Sequence, residues 1–314
     1  MDLKKCYRGK DFLSLHDYNT ADLAYMLDVA DFLKKEKKDG KSIDFLSGKT
    51  LGMIFQKNST RTRVSFETGM YYLGGQALFL SSNDLQIGRG EPLKDTARTL
   101  SRYLDGIMIR TFGHQGLLDL AQYASIPVIN GLTDLLHPCQ VMADMQTIRE
   151  HKGVLKGLKL VYFGDGNNMA NSLMYGGAKF GIDTVIACPK GFEPDQVVFA
   201  NALADAKESG AKIEVIYDPL AAAKDADVLY TDVWASMGQE DEADEKIKSF
   251  AGFQLNADLV AKAKKDAIIL HCLPAKRGLE ITDEVIESPQ SVVFDEAENR
   301  LWAQMAIMAL LLTD

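Results

Sequence analysis

Short apolar runs alternate with helical stretches along the chain, and this alternation constrains the fold more than any other feature of the sequence. Strands that are separated by helices pair in parallel, and the helices then cover both faces of the sheet. In the first half, strands are predicted at Leu51–Phe55, Gln76–Leu80, Gly106–Ile109 and Pro127–Asn130. Helices are predicted at Thr60–Leu73, Pro92–Tyr103 and Leu117–Tyr123. Phe66, Met70 and Leu73 recur at helical spacing and should face the core.

The second half repeats the alternation after a long predicted helix, Pro138–His151. Further strands are predicted at Leu158–Phe163, Thr184–Ala187, Lys212–Tyr217, Val228–Thr231, Ala267–Leu270 and Ser291–Phe294, and a closing helix at Glu296–Leu312. A chain of 314 residues is long enough for two domains. The predicted fold is α/β, with two doubly wound parallel-sheet domains at residues 1–150 and 151–314. The acidic segment Gln239–Lys248 is predicted to form an exposed loop or a lid.

Composition narrows the classes of function. The net charge of −9 argues against a nucleic-acid partner, which would require a basic surface. No apolar run approaches the roughly 20 residues that span a bilayer, so no membrane segment is predicted. Met1–Asp11 is charged and has no apolar signal region, which predicts a cytoplasmic protein. Reduced thiols and no metal site are predicted from four widely spaced cysteines without a CxxC pair: Cys6, Cys139, Cys188 and Cys272.

The segment Ser59–Arg63 combines three hydroxyl groups with two guanidinium groups between a predicted strand and a predicted helix. Guanidinium forks match phosphate or carboxylate oxygens, and a helix N-terminus adds backbone N–H groups and the positive end of its dipole. These groups predict a pocket for a compact dianion, such as a substrate that carries a phosphate. The structural alternative is a capped helix with two Arg side chains on a solvated face.

Further polar clusters follow other predicted strands. Ligands of open parallel sheets bind outside the carboxyl ends of the strands. If the carboxyl ends of the two sheets face each other, the clusters line one cleft between the domains. The clusters are Ser59–Arg63, Arg110, His137–Gln140, Asn167–Asn168, Asp232–Gly238 and His271–Pro274.

His137 and Asp232 each allow a functional and a structural interpretation. The imidazole of His137 can donate to a carbonyl oxygen or shuttle a proton, or it can close the loop by a backbone hydrogen bond. The carboxylate of Asp232 can bind a substrate ammonium group or cap the next turn. Cys139 and Trp234 are predicted to be buried packing residues. Cys272 is too far from an evident base to predict covalent catalysis.

The stretch Gly164–Met169 begins like the dinucleotide-binding fingerprint GxGxxG. Its last position is Met169, where the fingerprint needs a small residue for close helix–strand packing. The next predicted strand ends at Ala187 and continues into Cys188 and Pro189, without an acid to bind a ribose hydroxyl. A nicotinamide-dependent dehydrogenase is therefore the weaker alternative.

Four motifs, in this order and spacing, resemble the ornithine carbamoyltransferase family: S-T-R-T-R, H-P-C-Q, D-x-W-x-S-M-G and H-C-L-P, which begin at Ser59, His137, Asp232 and His271. The resemblance covers essentially the whole chain. It implies two α/β domains with the active site in the cleft between them, and a homotrimer or a multiple of trimers. It also implies transfer of the carbamoyl group of carbamoyl phosphate to the side-chain amine of L-ornithine, which yields L-citrulline and phosphate in arginine metabolism. No metal and no organic cofactor is implied.

The resemblance implies three overlapping sets of site residues. The catalytic set is Arg110, His137 and Cys272. Carbamoyl phosphate would contact Ser59, Thr60, Arg61, Thr62, Gln86, Arg110, His137, Pro138, Cys139, Gln140, Cys272, Leu273 and Arg300. Ornithine would contact Asn168, Asp232, Ser236 and Met237.

Several of these roles are specific. Ser59–Thr62 would hold the phosphate, Arg110 would bridge the phosphate and the carbamoyl oxygen, and Arg300 would contact the carbamoyl oxygen. A surface ion pair with Glu296 is the alternative for Arg300. In this family a neighbouring subunit donates the residue that matches Gln86, and a solvated loop is the alternative here.

The rivals within the family are aspartate and putrescine carbamoyltransferases. Aspartate would need cationic groups for its second carboxylate, whereas Asp232 suits an ammonium group. Putrescine lacks the α-carboxylate and the α-amine that Asn168 and Asp232 would bind. A non-catalytic sensor is a further alternative, against which the complete set of anion-binding residues argues. The family motif often reads F-E-K-x-S-T-R-T-R, and Gln56 stands here in place of its Glu.

Overall fold

The protein is described by a computed structural model that covers Leu3, residues 7–234 and residues 243–313. Cys6, Ser236 and Met237 lie outside this part of the chain, so what was inferred for them stays a prediction. No helix in the described part of the chain combines the length and the hydropathy that crossing a bilayer requires.

Two compact units make up the chain. The first comprises Met1–Ala143 and Asn299–Asp314, and the second comprises Asp144–Glu298. Each unit contains one sheet in which all the strands are parallel. The two sheets confirm the predicted fold class.

The sheet of the first unit has the strand order β2-β1-β3-β4. Its strands are β1 (Thr50–Phe55), β2 (Gln76–Ser81), β3 (Gly106–Arg110) and β4 (Val128–Leu132). The helices that begin in this unit are α1 (Thr20–Lys38), α2 (Thr60–Tyr72), α3 (Leu93–Leu100), α4 (His114–Tyr123) and α5 (Pro138–Lys152). Phe55 pairs with Ser81 on one side and with Arg110 on the other, so β1, β2 and β3 end at the same edge of the sheet. Phe66, Met70 and Leu73 are fully buried, which confirms the predicted core face of α2.

The sheet of the second unit has the order β7-β6-β5-β8-β9. Its strands are β5 (Lys159–Phe163), β6 (Asp183–Ala187), β7 (Ile213–Ile216), β8 (Val228–Thr231) and β9 (Ile268–His271). Its helices are α6 (Asn168–Phe180), α7 (Gln196–Ser209), α8 (Pro219–Ala223), α9 (Ala243–Phe250), α10 (Ala257–Val260), α11 (Asp283–Ile286) and α12 (Val293–Leu312), which begins here. The chain order reverses between β5 and β8, and such a switch point is where parallel sheets bind ligands.

The end of the chain packs differently from the predicted division at residues 1–150 and 151–314. Residues 299–314 pack with the first unit. Met305–Leu312 is buried throughout, and a Cβ added to Gly106 would come within 2.6 Å of Leu312. The alternation of strands and helices does not specify which sheet covers a closing apolar helix, so the sequence placed this segment in the second domain.

The predicted strand at Ser291–Phe294 is wrong. Ser291 forms only an isolated parallel bridge to Ile269, and α12 begins two residues later at Val293. Asp295 and Glu296 lie in the first turn of α12, where acidic side chains favour a helix through its dipole. The β-branched residues Val292 and Val293 therefore lie at the start of a helix and not in a strand.

The prediction of an exposed loop or lid at Gln239–Lys248 is wrong for the described part of that segment. Residues 243–250 form α9. Lys246 is buried, and its Nζ lies 2.7 Å from Asp165 Oδ2. Phe250, at the end of α9, is fully buried and stacks on Trp234 at 5.7 Å between ring centroids. An ion pair and an aromatic contact thus bury Lys246 and Phe250, while Lys248 between them remains exposed.

Candidate active site

Ser59 caps α2 and aligns the first part of the candidate site. Its backbone is extended, and its Oγ accepts a hydrogen bond from the Thr62 N–H at 3.2 Å. Its hydroxyl lies 3.1 Å from Oγ1 of Thr62, which is fully buried. The capped-helix interpretation is therefore correct for Ser59. The N–H groups of Thr60 and Arg61 have no partner among the described residues, so the helix start keeps two donors for a ligand.

Arg61 and Arg63 lie in different environments. The Arg63 Nε donates to Glu67 Oε1 at 3.0 Å, and its guanidinium lies 3.7 Å from the centroid of the Phe79 ring. The guanidinium of Arg61 makes no hydrogen bond or ion pair with any described residue. Arg63 thus has a structural role, and Arg61 is the guanidinium of this motif that remains available to an anion.

Arg110 is the last residue of β3 and is buried. Its carbonyl accepts a hydrogen bond from the Gln56 N–H at 2.9 Å, and the Thr111 hydroxyl donates to Gln56 Oε1. Gln56 therefore ties the end of β1 to the end of β3. A Glu at this position would offer the same acceptor, so the departure from the family motif preserves the contact.

His137 precedes α5, and its carbonyl accepts from the backbone N–H groups of Gln140 at 3.2 Å and Val141 at 3.4 Å. The imidazole is buried. Burial, with the positive charges of Arg300 and Arg110, holds the pKa of His137 well below its usual range. His137 is therefore a neutral imidazole at neutral pH, able to donate from one ring nitrogen.

The two residues after His137 pack into the first unit. Pro138 is the first residue of α5, as its fixed backbone angle favours. The Cys139 thiol donates to the Asn130 carbonyl at 3.3 Å, and burial raises the pKa of Cys139 to about 12. Cys139 is thus the buried packing residue that the sequence predicts.

Arg300 joins three helices of the first unit. Its Nη1 donates to Gln140 Oε1 on α5 at 2.6 Å, and its Nη2 donates to Thr62 Oγ1 on α2 at 3.2 Å. With its amide oxygen facing the guanidinium, Gln304 accepts from Nε at 3.1 Å and from Nη2 at 2.8 Å. Arg300 and Glu296 are both buried, so the alternative of a surface ion pair is wrong.

Gln86 lies on a short 3-10 turn between β2 and α3. The flanking side chains of Leu85 and Ile87 pack against the core of the first unit, whereas Gln86 is exposed. Its side chain contacts no polar group in the described part of the chain. The Gln86 side chain is therefore exposed, while packing of Leu85 and Ile87 holds the backbone on either side of it.

In the second unit, the candidate residues begin with Asn167, which caps α6. Its Oδ1 accepts from the N–H groups of Met169 at 2.9 Å and Ala170 at 3.3 Å, and its Nδ2 donates to Asp232 Oδ2 at 3.3 Å. Asn168 is the first residue of α6 and is half-buried. Asn167 therefore has a structural role, and it places Asn168 beside the switch point.

The glycine directly before Asn167, Gly166, is explained by packing. A Cβ added to Gly166 would come within 2.3 Å of the Glu193 carbonyl carbon and 2.4 Å of the Pro194 nitrogen. The Gly166 N–H also donates to the Phe192 carbonyl at 2.9 Å. This close approach of two backbone segments requires glycine without any dinucleotide, which removes the sequence argument for a dehydrogenase.

Asp232 follows β8 and is buried. Its Oδ1 accepts from the Val233 N–H at 2.8 Å and from the Cys272 thiol at 3.1 Å. The carboxylate thus caps its own turn, which confirms the structural interpretation of Asp232, and it also accepts from Asn167 and Cys272, while the binding of an ammonium group stays a prediction. Trp234 is buried in the core, as predicted.

Cys272 follows β9 and is half-buried. Burial, together with the carboxylates of Asp232 and Glu296, raises the pKa of the Cys272 thiol well above its usual range. The thiol is therefore protonated at neutral pH and acts as a hydrogen-bond donor to Asp232. A protonated thiol is a poor nucleophile, which agrees with the absence of covalent catalysis in the sequence prediction.

His271 and Leu273 fix the loop on either side of Cys272. The Leu273 N–H donates to His271 Nδ1 at 2.9 Å, and His271 Nε2 lies 3.1 Å from Glu280 Oε1, so Nε2 carries the proton. Leu273 has a left-handed backbone with φ 55°. Asp232, His271 and Cys272 place ligand atoms within 4.8 Å of one another, but both nitrogens of His271 are engaged in hydrogen bonds. The group therefore offers fewer than three available metal ligands.

Two family profiles match successive parts of the chain. The profile for the carbamoyl-P binding domain of aspartate/ornithine carbamoyltransferase matches residues 10–150, and the profile for its Asp/Orn binding domain matches residues 156–311. The chain belongs to the aspartate/ornithine carbamoyltransferase family.

Relatives in this family are similar over nearly their full length. Ornithine carbamoyltransferase from Oceanobacillus iheyensis is 58% identical over 98% of this chain and 95% of its own. A relative from Pyrococcus furiosus, named ornithine carbamoyltransferase, anabolic, is 57% identical over 97% of this chain and 96% of its own. The solved structure of ornithine carbamoyltransferase from Pyrococcus furiosus has a TM-score of 0.95, with 56% identity and 98% coverage of both chains.

The sequence interpretation missed buried polar residues of this carbamoyltransferase. Asp144 and Glu296 are fully buried beside β8 and β9, and Gln304 is fully buried beside Arg300. For Asp144 and Gln304 the usable signal was a polar residue between two apolar neighbours in a helix, since such a residue must find a partner in the core, whereas Glu296 follows Asp295 and gives no such signal.

Proposed function

We propose that this chain transfers the carbamoyl group of carbamoyl phosphate to the side-chain amine of L-ornithine, giving L-citrulline and phosphate in arginine metabolism. The similarity over nearly its whole length to proteins named ornithine carbamoyltransferase carries the proposal. The family profile covers aspartate and ornithine enzymes, and these relatives favour ornithine.

The start of α2 is the proposed phosphate site. The backbone N–H groups of Thr60 and Arg61, the hydroxyls of Ser59 and Thr62, and the available Arg61 guanidinium supply donors of the kind that a phosphate dianion needs. Gln86 is proposed to complete this site from a neighbouring subunit.

Arg110, His137 and Arg300 are the proposed groups for the carbamoyl oxygen. The amine nitrogen attacks the carbamoyl carbon, and the carbonyl becomes an oxyanion. The C–O bond to phosphate then breaks, phosphate leaves with the bond electrons, and the amine releases a proton. Two fixed cations and the neutral His137 imidazole stabilise the oxyanion electrostatically. Pro138, Cys139 and Gln140 support this group as the start of α5.

Asn168 and Asp232 are the proposed contacts for the amino-acid end of ornithine, with Ser236 and Met237. The buried carboxylate of Asp232 suits an ammonium group. Cys272 and Leu273 are proposed to lie beside the reacting amine and the carbamoyl group. The reaction uses no metal and no organic cofactor.

We further propose that the chain acts as a cytoplasmic homotrimer or a multiple of trimers. Exposed apolar side chains on α2 and on the edge strand β2 support contact with another copy, since such groups mark interaction surfaces. Val64, Tyr71 and Leu78 are the examples.

A citrulline assay with carbamoyl phosphate tests the proposal. Ornithine should give carbamoylated product, and aspartate and putrescine tested in parallel should give little. Turnover of aspartate or putrescine in preference to ornithine would overturn the substrate assignment. A folded protein without turnover of any of the three would favour the non-catalytic sensor.

A further inference from the structure

Asp144 on α5 and Glu296 in the first turn of α12 are fully buried acids to which no role has been assigned above. Their side chains hydrogen-bond each other. Glu296 Oε1 accepts from the Tyr230 hydroxyl at 3.0 Å, and its Oε2 accepts from the His271 N–H at 2.8 Å. Glu296 thus links the carboxyl group of Asp144 to His271, the last residue of β9.

A hydrogen bond between two carboxyl groups requires a proton, because an ionised carboxylate only accepts. Two buried carboxylates at this separation would also repel each other strongly, so they titrate as a pair. Burial and the charge of Asp144 raise the pKa of Glu296 well above its usual range. The hydrogen-bonded pair therefore retains at least one proton.

The hydrogen bond from the His271 N–H to Glu296 links this pair of acids to the residue that precedes Cys272. His271 is the last residue of β9, and Cys272 is the next residue, with its thiol 3.1 Å from Asp232 Oδ1. Fixing the His271 backbone fixes the point from which the thiol projects. The titratable groups around that thiol are Asp232, Glu296, Asp144, Tyr230, Tyr162 and His271.

We infer that Asp144 and Glu296 form a positioning pair that shares one proton, holds the end of β9 and places a single negative charge beside Cys272. The charge disfavours the thiolate and so keeps Cys272 a neutral donor to Asp232. A thiolate next to a carbamoyl group would compete with the amine as a nucleophile. This benefit to the reaction rests on the proposed function, whereas the charge beside Cys272 does not.

A shared proton predicts that either single substitution leaves the negative charge in place and that only the double substitution removes it. In Glu296→Gln, Asp144 loses its proton and keeps the charge, and in Asp144→Asn, Glu296 does the same. In the double variant both side chains are neutral amides, so the charge is lost and the pKa of the Cys272 thiol falls. The amide groups retain donors and acceptors for the His271 and Tyr230 contacts.

Alkylation of Cys272 by iodoacetamide, followed by mass spectrometry of its peptide between pH 7 and pH 10, measures the thiolate. The double variant should react about tenfold faster at pH 8, the change for a one-unit fall in pKa. Each single variant should stay within about twofold of the parent. Glu287→Gln removes one exposed charge, equal to the loss in the double variant, and should change nothing. Cys272→Ser identifies the background signal.

Three outcomes overturn the inference. A single substitution that accelerates alkylation, in part or as much as the double one, means that the remaining acid does not release a shared proton to restore the charge, and a double variant that matches the parent means that the pair places no charge beside Cys272. Glu296→Ala that leaves alkylation and the ornithine KM unchanged means that β9 is not held by Glu296. Thermal melts identify the variants that fold. Where a carboxyl variant does not fold, Tyr230→Phe takes its place, because it removes one donor to Glu296 and keeps the His271 contact. Alkylation needs no substrate, so failure of the citrulline assay leaves this result standing.

Discussion

At the scale of single residues, Arg61 and Arg63 differ in whether the guanidinium already has a partner. Arg63 is held by Glu67 and Phe79, and Arg61 has no partner among the residues described. Arg61→Ala should therefore abolish most carbamoyl phosphate binding, at a cost of about 2–5 kcal/mol, because a dianion loses its charge-assisted contact. Isothermal calorimetry measures this affinity.

Arg63→Ala is the matched control for that prediction. It removes the same group two residues away, and carbamoyl phosphate affinity should stay near that of the parent. A folded Arg61→Ala protein with normal affinity, or an equal loss in both variants, would contradict the assignment of the phosphate to Arg61.

The proposed binding role of Asp232 is separable from its structural role. Asp232→Asn removes the counter-charge for a substrate ammonium group and turns an amide donor toward Asn167 Nδ2. Ornithine affinity should fall far more than carbamoyl phosphate affinity, with a loss of unfolding free energy of about 1 kcal/mol. Calorimetry with each substrate and urea unfolding provide the measurements, and equal losses for both substrates would indicate a purely structural role.

At the scale of elements, the apolar runs predicted the nine strands in the described part of the chain to within two residues at either end. They succeed because the strands other than β2 and β7 are buried almost throughout and leave a nearly continuous apolar signal. The β-branched run at Ser291–Phe294 gave the same signal but lies at a helix start. Local composition does not show whether the sheet has a neighbouring strand with which such a run can pair. The helix α9 was missed because its burial depends on a distant partner, Asp165, that no local pattern contains.

The candidate site was predictable where it follows from local motifs. The start of α2 and the end of β3 lie at one sheet edge, as the alternation implies. The distinction between Arg61 and Arg63, and the connection of Arg300 to Thr62 and Gln140, depend on contacts between segments far apart in the chain. These required the structure.

The ion pair between Lys246 and Asp165 should stabilise α9. Both side chains are largely buried, so Lys246→Ala would leave the Asp165 carboxylate without that cation. The loss should be roughly 3 kcal/mol of unfolding free energy, measured by urea denaturation. Asp165→Asn added to Lys246→Ala should recover part of it. Lys35→Ala, which breaks an exposed pair with Asp39, should produce no measurable change.

At the scale of the whole molecule, the proposed trimer makes a prediction about mixtures. If Gln86 serves a neighbouring subunit, Arg61→Ala and Gln86→Ala chains each lack one half of every phosphate site in their own trimers. Co-expressed chains should form hybrids in which some sites combine an intact Arg61 with an intact Gln86. Purified hybrids, selected by two different affinity tags, should therefore be more active than either parent variant, and hybrids without recovered activity would contradict the shared site.

The pH dependence of turnover tests the complete catalytic arrangement. Only the neutral amine of ornithine can attack, and an alkyl ammonium has a pKa near ~10.4, as lysine does. At limiting ornithine, kcat/KM should rise about tenfold per pH unit from pH 7 toward pH 9. The lowered pKa of His137 leaves it deprotonated throughout this range, and the raised pKa of Cys272 leaves it protonated at its lower end. His137→Gln and Cys272→Ser should therefore reduce the rate without changing the slope near neutral pH. A flat profile above pH 7, or a carbamoyl adduct trapped on Cys272, would contradict attack by the free amine.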